Sequence, residues 1–114
     1  MTTLYGIKNC DTVKKARKWL EGEDITYGFH DVRADGLSAD DIERWLQKVE
    51  WETLVNKRST TWKQLDEATR NSLDASNVVD TLLANPTLIK RPVLDHKGQV
   101  TVGFKAANYE SLFS

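Results

Sequence analysis

Cysteine is almost absent from this sequence. Cys10 is the single cysteine among 114 residues, so no disulfide can form within the chain. Secreted domains of this size more often carry several paired cysteines. No apolar leader with a small-residue cleavage site comes before the first strand-like segment. We therefore expect a cytoplasmic protein that works in a reducing compartment.

The sequence also lacks an excess of charge of either sign and any long apolar run. Its 16 basic and 17 acidic residues give a net charge of −1. This balance provides no basic footprint of the kind that nucleic-acid-binding proteins carry. No segment approaches the roughly 18 apolar residues of a membrane span. We expect neither nucleic acid nor membrane as a partner.

Metal-ligand and nucleotide-binding patterns are missing as well. His30, His96 and Cys10 are scattered without the spacing of metal ligands, so we expect no metal. Neither a G-x-G-x-x-G nor a Walker motif is present. Cys10 is therefore the best candidate for any chemistry that the chain performs.

The hydrophobic pattern that is present predicts an α/β fold. The predicted elements are a strand over Thr3–Ile7, a helix over Thr12–Gly22, a strand over Ile25–Val32, a helical region over about 37–86, strands over Pro92–Asp95 and Gln99–Val102, and a closing helix with Tyr109. The first strand, helix and strand form a βαβ unit, so the two strands should be parallel. The order predicts one thioredoxin-like domain over residues 1–114. Its mixed four-stranded sheet carries a helical insertion between the two halves.

Cys10 lies at the junction of the first strand and the first helix. Helix N-termini present unpaired N–H groups and a partial positive charge, which stabilise a thiolate. Lys8, Lys14 and Lys15 add positive charge nearby, and Asp11 opposes them. The alternative is that Cys10 is a small buried hydrophobic residue. Because Val13 stands where a C-x-x-C motif needs its second cysteine, any catalytic cycle requires an outside thiol such as glutathione.

Two short basic motifs follow later in the chain. One contains Arg58, after Asn56-Lys57, and the other is Lys90-Arg91-Pro92, just before the third strand. Arginines that face a thiol can bind an anionic substrate. Each could equally be a solvated surface side chain. Pro92 by itself could be an ordinary trans residue that starts a strand.

The combination of these motifs resembles one family. Tyr5-Gly6-Ile7-Lys8-Asn9-Cys10-Asp11-Thr12-Val13-Lys14-Lys15-Ala16 is similar to the opening of the ArsC-like proteins, most closely of the YffB type. Asn56-Lys57-Arg58, Ile89-Lys90-Arg91-Pro92 and Val102-Gly103-Phe104 occur where that family has its later motifs. The resemblance covers essentially the whole chain and implies a thioredoxin-like fold with a helical insertion.

The resemblance also implies roles for individual residues. By this resemblance, Cys10 is the reactive thiol. Arg58 and Arg91 match the arginines of the family's anion site. Pro92 matches a proline that is expected to be cis beside the cysteine. We add Lys8 as a further anion-binding residue. Asn9 and Thr12 flank Cys10 as structural residues of the site.

For the YffB type, the resemblance implies a glutathione-dependent thiol reductase or transferase. Glutathione would be the co-substrate, and the substrate would be a small-molecule or protein thiol or disulfide. Glutaredoxin is a further candidate partner.

Two alternatives come from the same resemblance. Arsenate reductases of this family use a third arginine after the fourth strand, where this chain has Gly103-Phe104-Lys105. Their loop after the cysteine is small and polar, whereas Asp11 here would repel an oxyanion. The Spx regulators bind RNA polymerase rather than catalyse, and they typically carry the C-x-x-C switch that Val13 abolishes. A binding module without redox control is therefore the third hypothesis.

Overall fold

The computed structural model describes residues 2–113, and within them the strands form one four-stranded sheet. The strands are β1 (Thr2–Gly6), β2 (Gly28–Asp31), β3 (Val93–His96) and β4 (Gln99–Val102). The order across the sheet is β2-β1-β3-β4. β1 runs parallel to β2 and antiparallel to β3, and β3 runs antiparallel to β4. The mixed α/β sheet and the parallel first pair are thus confirmed.

Most helices of the described residues lie between β2 and β3. The helices are α1 (Asp11–Gly22), α2 (Ala39–Leu46), α3 (Trp51–Leu54), α4 (Thr60–Gln64), α5 (Glu67–Ser72), α6 (Val78–Ala84) and α7 (Ala106–Phe113), with a 3-10 turn at Pro86–Leu88. The sequence pattern did not predict α5 individually, because that helix buries no residue and so carries no apolar stripe. Among the described residues, no helix combines the length and apolar character that a bilayer crossing requires.

The chain is organised as two compact units. The sheet unit comprises the residues up to Asp35 and those from Arg91 onward. It contains the four strands with α1 and α7. The helical unit is the continuous segment Gly36–Lys90, which contains the remaining helices.

The core of the sheet unit forms where α1 and α7 cover the sheet. Its fully buried members are Leu4, Val13, Ala16, Leu20, Leu94 and Tyr109. α1 contributes Val13, Ala16 and Leu20 because residues three and four apart share one helix face. Gly6 allows α1 to approach β1 closely, since a Cβ atom there would lie 2.7 Å from a methyl group of Val13.

In the helical unit, α2 is capped at its start and packs against another helix of the same unit. α2 begins at Ser38, whose hydroxyl accepts a hydrogen bond from the Asp41 N–H at 3.1 Å. α2 buries Ile42 and Trp45 and packs against α6. The serine cap stabilises the start of α2, and Ile42 and Trp45, three residues apart, lie on the helix face that packs.

One strand is shorter than the sequence predicts. We expected a strand over Ile25–Val32, whereas β2 pairs only over Gly28–Asp31. At the start of this stretch the backbone still forms the C-terminal end of α1. Asp24 has φ of 56°, and the Ile25 N–H donates to the carbonyl of Leu20 at 3.0 Å. The apolar alternation there marks burial against the core rather than strand pairing.

The hairpin between β3 and β4 follows the prediction closely. Lys97 and Gly98 have φ angles of 50° and 82°. Two successive residues with positive φ form the tight turn whose twist matches that of antiparallel strands. Gly98 meets this demand without strain, which fixes the register of β4 against β3.

Candidate functional site

The strand register brings several predicted residues to one edge of the sheet unit. In the parallel pair Gly6 lies opposite Asp31, and in the antiparallel pair Tyr5 lies opposite Val93. The ends of β1 and β2 and the start of β3 therefore share this edge. The Gly103 N–H after β4 donates to the carbonyl of Pro92 at 2.8 Å, which places the end of β4 there too.

Cys10 stands at this edge, in the turn between β1 and α1. Its N–H donates to the carbonyl of Ile7 at 3.1 Å, and its carbonyl accepts from the Lys14 N–H at 3.0 Å. It is the N-cap residue of α1, with φ of −82° and ψ of 125°, and its side chain makes no capping hydrogen bond. The thiol is half-buried and packs against the core of the sheet unit. A helix start without a side-chain cap leaves first-turn N–H groups available for an anion.

The neighbours of Cys10 in this turn are exposed. Lys8 and Asn9 precede it and Thr12 follows it, all with exposed side chains. Asp11, in the first turn of α1, is exposed as well. The structure thus places these residues around the thiol by chain adjacency, and their roles stay predictions.

Asp31 is a residue of this edge that sequence reasoning missed. Its side chain is only 5% exposed, and its carboxylate accepts three backbone hydrogen bonds, from Lys8 at 3.2 Å, Arg33 at 2.8 Å and Ala34 at 3.0 Å. These N–H donors, Ala34 first, lower the pKa of Asp31 below its ordinary value. The carboxylate therefore ties the turn that leads to Cys10 to the end of β2.

A sequence signal for Asp31 existed but was weak. An aspartate that ends a strand and precedes a polar stretch often accepts N–H groups two or three residues ahead. The bond to Lys8 spans 23 residues and could not be inferred from that local pattern.

Arg91 and Pro92 lie directly before β3, at the same edge. The peptide bond between them is cis, which is the geometry that the family resemblance implied. Pro92 is buried and Arg91 is half-buried.

Arg58 belongs to the helical unit, in the turn before α4. The side-chain oxygen of Asn56 accepts the Arg58 N–H at 3.0 Å. The Ser59 hydroxyl donates to the Asn56 carbonyl at 2.7 Å and accepts from the Trp62 N–H at 3.1 Å. The backbone under Arg58 is thus fixed locally, and its side chain is exposed.

Lys57 contributes to holding the same turn. Its ammonium lies 5.6 Å from the ring centroid of Trp51 and 5.7 Å from that of Trp62. Both distances are within the range of cation–π attraction. The two tryptophans therefore favour one orientation of the segment that carries Arg58.

The sheet unit accordingly collects most of the predicted site residues. The members at its edge are Lys8, Asn9, Cys10, Thr12, Arg91 and Pro92. Within residues 2–113, no group of three or more histidine, cysteine or acidic side chains could hold a metal ion. This edge thus carries a half-buried thiol with Lys8 in the same turn, and a thiol in such a place is suited to nucleophilic attack on sulfur.

Comparison with known proteins decides the family. The model of the ArsC family matches residues 5–112, which is nearly the whole chain. The chain belongs to the ArsC family. The matched range includes the cysteine turn, the arginine motifs and α7 up to residue 112.

Relatives within or near the ArsC family carry different descriptions. An uncharacterised protein of Haemophilus influenzae is 48% identical over the full length of both chains. The global transcriptional regulator Spx of Listeria innocua is 32% identical, over 91% of this chain and 80% of its own. The chain is therefore similar to a protein named as a transcriptional regulator as well as to proteins named for arsenate reduction.

Solved structures of ArsC-type proteins confirm the fold. A structure named YffB has a TM-score of 0.96 at 42% identity and covers 100% of both chains. An arsenate-reductase-related protein from Brucella melitensis has a TM-score of 0.77 at 49% identity, over 99% of this chain and 94% of its own. The expected resemblance to the ArsC-like proteins of the YffB type is confirmed.

Proposed function

We propose that this chain is a glutathione-dependent thiol reductase or transferase with Cys10 as its nucleophile. The observation that carries the proposal is the position of Cys10: a half-buried thiol at an uncapped helix start, beside Lys8. The chain has no second cysteine to resolve an intermediate. A second thiol must therefore come from outside the chain.

The proposed cycle has two thiol–disulfide exchanges. In the first, the Cys10 thiolate attacks the glutathione sulfur of a mixed disulfide, forms a new S–S bond to glutathione and releases the substrate thiolate, which takes up a proton. In the second, the thiolate of another glutathione attacks the bound glutathione sulfur, forms glutathione disulfide and frees Cys10. In sum, one mixed disulfide and one free glutathione are converted to the substrate thiol and glutathione disulfide.

The other predicted residues have supporting roles in this proposal. Lys8, Arg58 and Arg91 bind carboxylates of glutathione, because arginine and lysine form charge-assisted hydrogen bonds with them. Asn9, Thr12 and Pro92 shape the turn around the thiol. No metal takes part. The substrate is a small or protein disulfide, glutaredoxin is a candidate second thiol donor, and the cytoplasm is the matching compartment.

The test is a coupled assay of glutathione oxidation with a glutathione mixed disulfide as substrate. We expect turnover by the wild-type protein and none by Cys10→Ser, because a hydroxyl cannot form the mixed disulfide. Full turnover by Cys10→Ser would contradict the proposal.

The arginines are tested in the same assay. Arg58→Gln and Arg91→Gln should each raise the KM for glutathione about tenfold, the effect of losing one charge-assisted hydrogen bond. Arg70→Gln is the matched control in the helical unit and should leave the KM unchanged. Equal kinetics of all three variants would remove the arginines from the site.

Arsenate reduction is the second candidate, supported by the description of the Brucella melitensis relative. Two features of this chain weigh against it. Asp11 places a negative charge in the first turn after Cys10. The segment after β4 provides the Gly103 N–H to Pro92 but no arginine. We expect arsenate turnover with glutathione and glutaredoxin to stay at the level of Cys10→Ser.

A binding module like Spx is the third candidate, supported by the relative from Listeria innocua. Val13 occupies the position where a redox switch would need a second cysteine. Failure of turnover with glutathione, together with capture of one specific protein that Arg91→Ala no longer captures, would favour this candidate over the enzyme.

A further inference from the structure

A shallow, largely open groove along one side of α1 is a concentrated positive surface. It has a volume of about 710 Å³ and is lined by Lys8, Lys14, Arg17, Lys18, Glu21 and Gly22. Four of these side chains are cationic and one is anionic, in a chain whose net charge is −1. We call this surface the α1 groove. Its charge is opposite in sign to that of the chain as a whole.

The α1 groove runs along the helix that begins directly after Cys10. Positions 14, 17, 18 and 21 follow Cys10 at spacings of four, seven, eight and eleven residues, which lie on one helix face. Lys14 is joined to Cys10 directly, because its N–H donates to the Cys10 carbonyl at 3.0 Å. Lys8 borders the groove from the other side of the cysteine turn.

The single acid of the groove is already engaged. The Tyr27 hydroxyl donates to the carboxylate of Glu21 at 3.0 Å and accepts from Nε of Arg17 at 3.0 Å. The guanidinium of Arg17 also lies 4.1 Å from the ring centroid of Phe29. Arg17 is thereby held in one orientation, while Lys14 and Lys18 form no ion pair with any carboxylate of residues 2–113. The charge of Lys8 also acts on the carboxylate of Asp31 and helps to lower its pKa.

The length of the groove indicates a ligand larger than glutathione. From Cys10 to Lys18 the helix rises about 12 Å. A fully extended tripeptide spans at most about 11 Å, and the sulfur of glutathione is on its middle residue. In the proposed function the carboxylates of glutathione, which lie this close to the sulfur, bind Lys8, Arg58 and Arg91. Arg17 and Lys18 then remain for charges farther along the helix.

We infer that the α1 groove docks an acidic segment of a protein substrate whose oxidised cysteine is presented to Cys10. The inference rests on the proposed function for the reaction at Cys10, and on charge complementarity for the partner. A segment with several Asp or Glu residues matches three cations along one helix face and Lys8 in the preceding turn. Such docking makes the groove a specificity determinant for protein disulfides over small ones.

The first experiment measures docking without thiol chemistry. A fluorescent peptide with four glutamates, and its isomer with four glutamines, are titrated with Cys10→Ser protein by anisotropy. We expect the glutamate peptide alone to bind, and its affinity to fall as ionic strength rises from about 0.01 M to about 0.15 M, where the Debye length shrinks from about 30 Å to about 8 Å.

Two charge reversals on the same helix locate the docking surface. Lys18→Glu lies in the groove and should weaken the glutamate peptide about tenfold. Lys15→Glu makes the same change of charge at a position of α1 that does not line the groove, and should weaken binding less than about twofold at near-physiological salt. Equal effects of both variants would overturn the proposal, because they would indicate attraction by overall charge only.

A second experiment links docking to the reaction. Each peptide carries one cysteine as a mixed disulfide with an aromatic thiol, and wild-type Cys10 forms a disulfide with the peptide while the aromatic thiolate leaves. We expect the glutamate peptide to react about tenfold faster than the glutamine peptide, and Lys18→Glu to remove this preference. Equal rates would overturn the proposal.

The outcomes separate this inference from the proposed function. Absence of any reaction of Cys10 with a small neutral disulfide would remove the proposed function, while selective binding of the glutamate peptide would still support the groove. Absence of binding by both peptides would remove the groove and leave the enzyme proposal standing. Tighter binding of a single-stranded oligonucleotide of equal charge would assign the groove to nucleic acid instead, and would overturn the inference.

Discussion

Two turns of this molecule lead into helices and are built in opposite ways. At the start of α4, the Ser59 hydroxyl accepts the N–H of Trp62 at 3.1 Å. At the start of α1, Cys10 occupies the same cap position, and its side chain makes no such bond. A serine cap typically contributes about 1 kcal/mol to stability. The start of α1 lacks this stabilising contribution, because its N-cap position is occupied by Cys10.

The two turns also differ in what holds them. The turn around Arg58 is fixed by its own residues, since Asn56 accepts the Arg58 N–H within two positions. The turn around Cys10 is fixed from a distance, through the bond between Asp31 and the Lys8 N–H across 23 residues. A turn that keeps its helix N–H groups free needs an anchor elsewhere, and here the buried carboxylate provides it.

The strongest test of this comparison removes the distant anchor. Asp31→Ala leaves three backbone N–H groups without their acceptor, so we expect the free energy of unfolding to fall by about 3 kcal/mol. Urea denaturation measures the change. Asp35→Ala is the control, because the Asp35 carboxylate accepts one such bond, from the Asp31 N–H at 3.0 Å. We expect this variant to lower the free energy of unfolding by about 1 kcal/mol. Equal losses for the two variants would show that Asp31 is not the anchor.

The same anchor predicts an acid-side pH dependence. The pKa of Asp31 is lowered from its ordinary value of 3.8 by the N–H donors around it. A carboxyl with a lowered pKa adds stability that is present above the ordinary value and is lost as the pH falls through the lower one. The urea midpoint of the wild type should therefore decline more steeply below about pH 4 than that of Asp31→Asn. Parallel profiles of the two proteins would contradict the ionised anchor.

A smaller effect is expected at the other turn. Ser59→Ala removes the side-chain cap of α4 and should lower the free energy of unfolding by about 1 kcal/mol. Thermal or urea unfolding provides the measurement. Thr60→Ala, which changes an exposed hydroxyl one residue later, is the control and should have less effect. A loss of similar size at both positions would mean that the cap is not what Ser59 contributes.

The smallest effect has the opposite sign. Cys10→Ser places a good capping hydroxyl at an N-cap position with extended backbone, so we expect the free energy of unfolding to rise by about 0.5 kcal/mol. The same variant should lose all turnover. A clear loss of stability would show that the thiol serves the core more than the site. Gain of stability together with loss of activity would confirm that Cys10 is kept for reactivity.

Much of the fold could be predicted because local patterns specify it. The apolar spacing of Val13, Ala16 and Leu20 predicts α1. The short connection His96-Lys97-Gly98, with glycine at the turn, predicts the β3–β4 hairpin. The sequence predicts too long a second strand, because Ile25 and Tyr27 alternate with polar residues as in a strand. In the structure they pack beside the core without strand pairing. The period of the apolar residues indicates which side chains are buried. The backbone hydrogen bonds between neighbouring strands decide where a strand begins.

The site was predictable in part for a different reason. Cys10 stands out because it is the single cysteine, and its cap position follows from the strand–helix junction. Asp31 was missed because its role depends on the parallel register that sets Gly6 opposite it. The α1 groove was missed because its lysines read as an ordinary solvated helix face until Tyr27 and Phe29 are seen to hold Arg17.

The strand order has a consequence for synthesis on the ribosome. In the sheet, β1 lies between β2 and β3. The ribosome makes β3 some ninety residues after β1, because the whole helical unit is synthesised in between. At about 5–20 residues per second, one edge of β1 waits several seconds for its partner. Until then the nascent chain presents the unpaired backbone of Thr2–Gly6 as a target for chaperones or for misplaced strands.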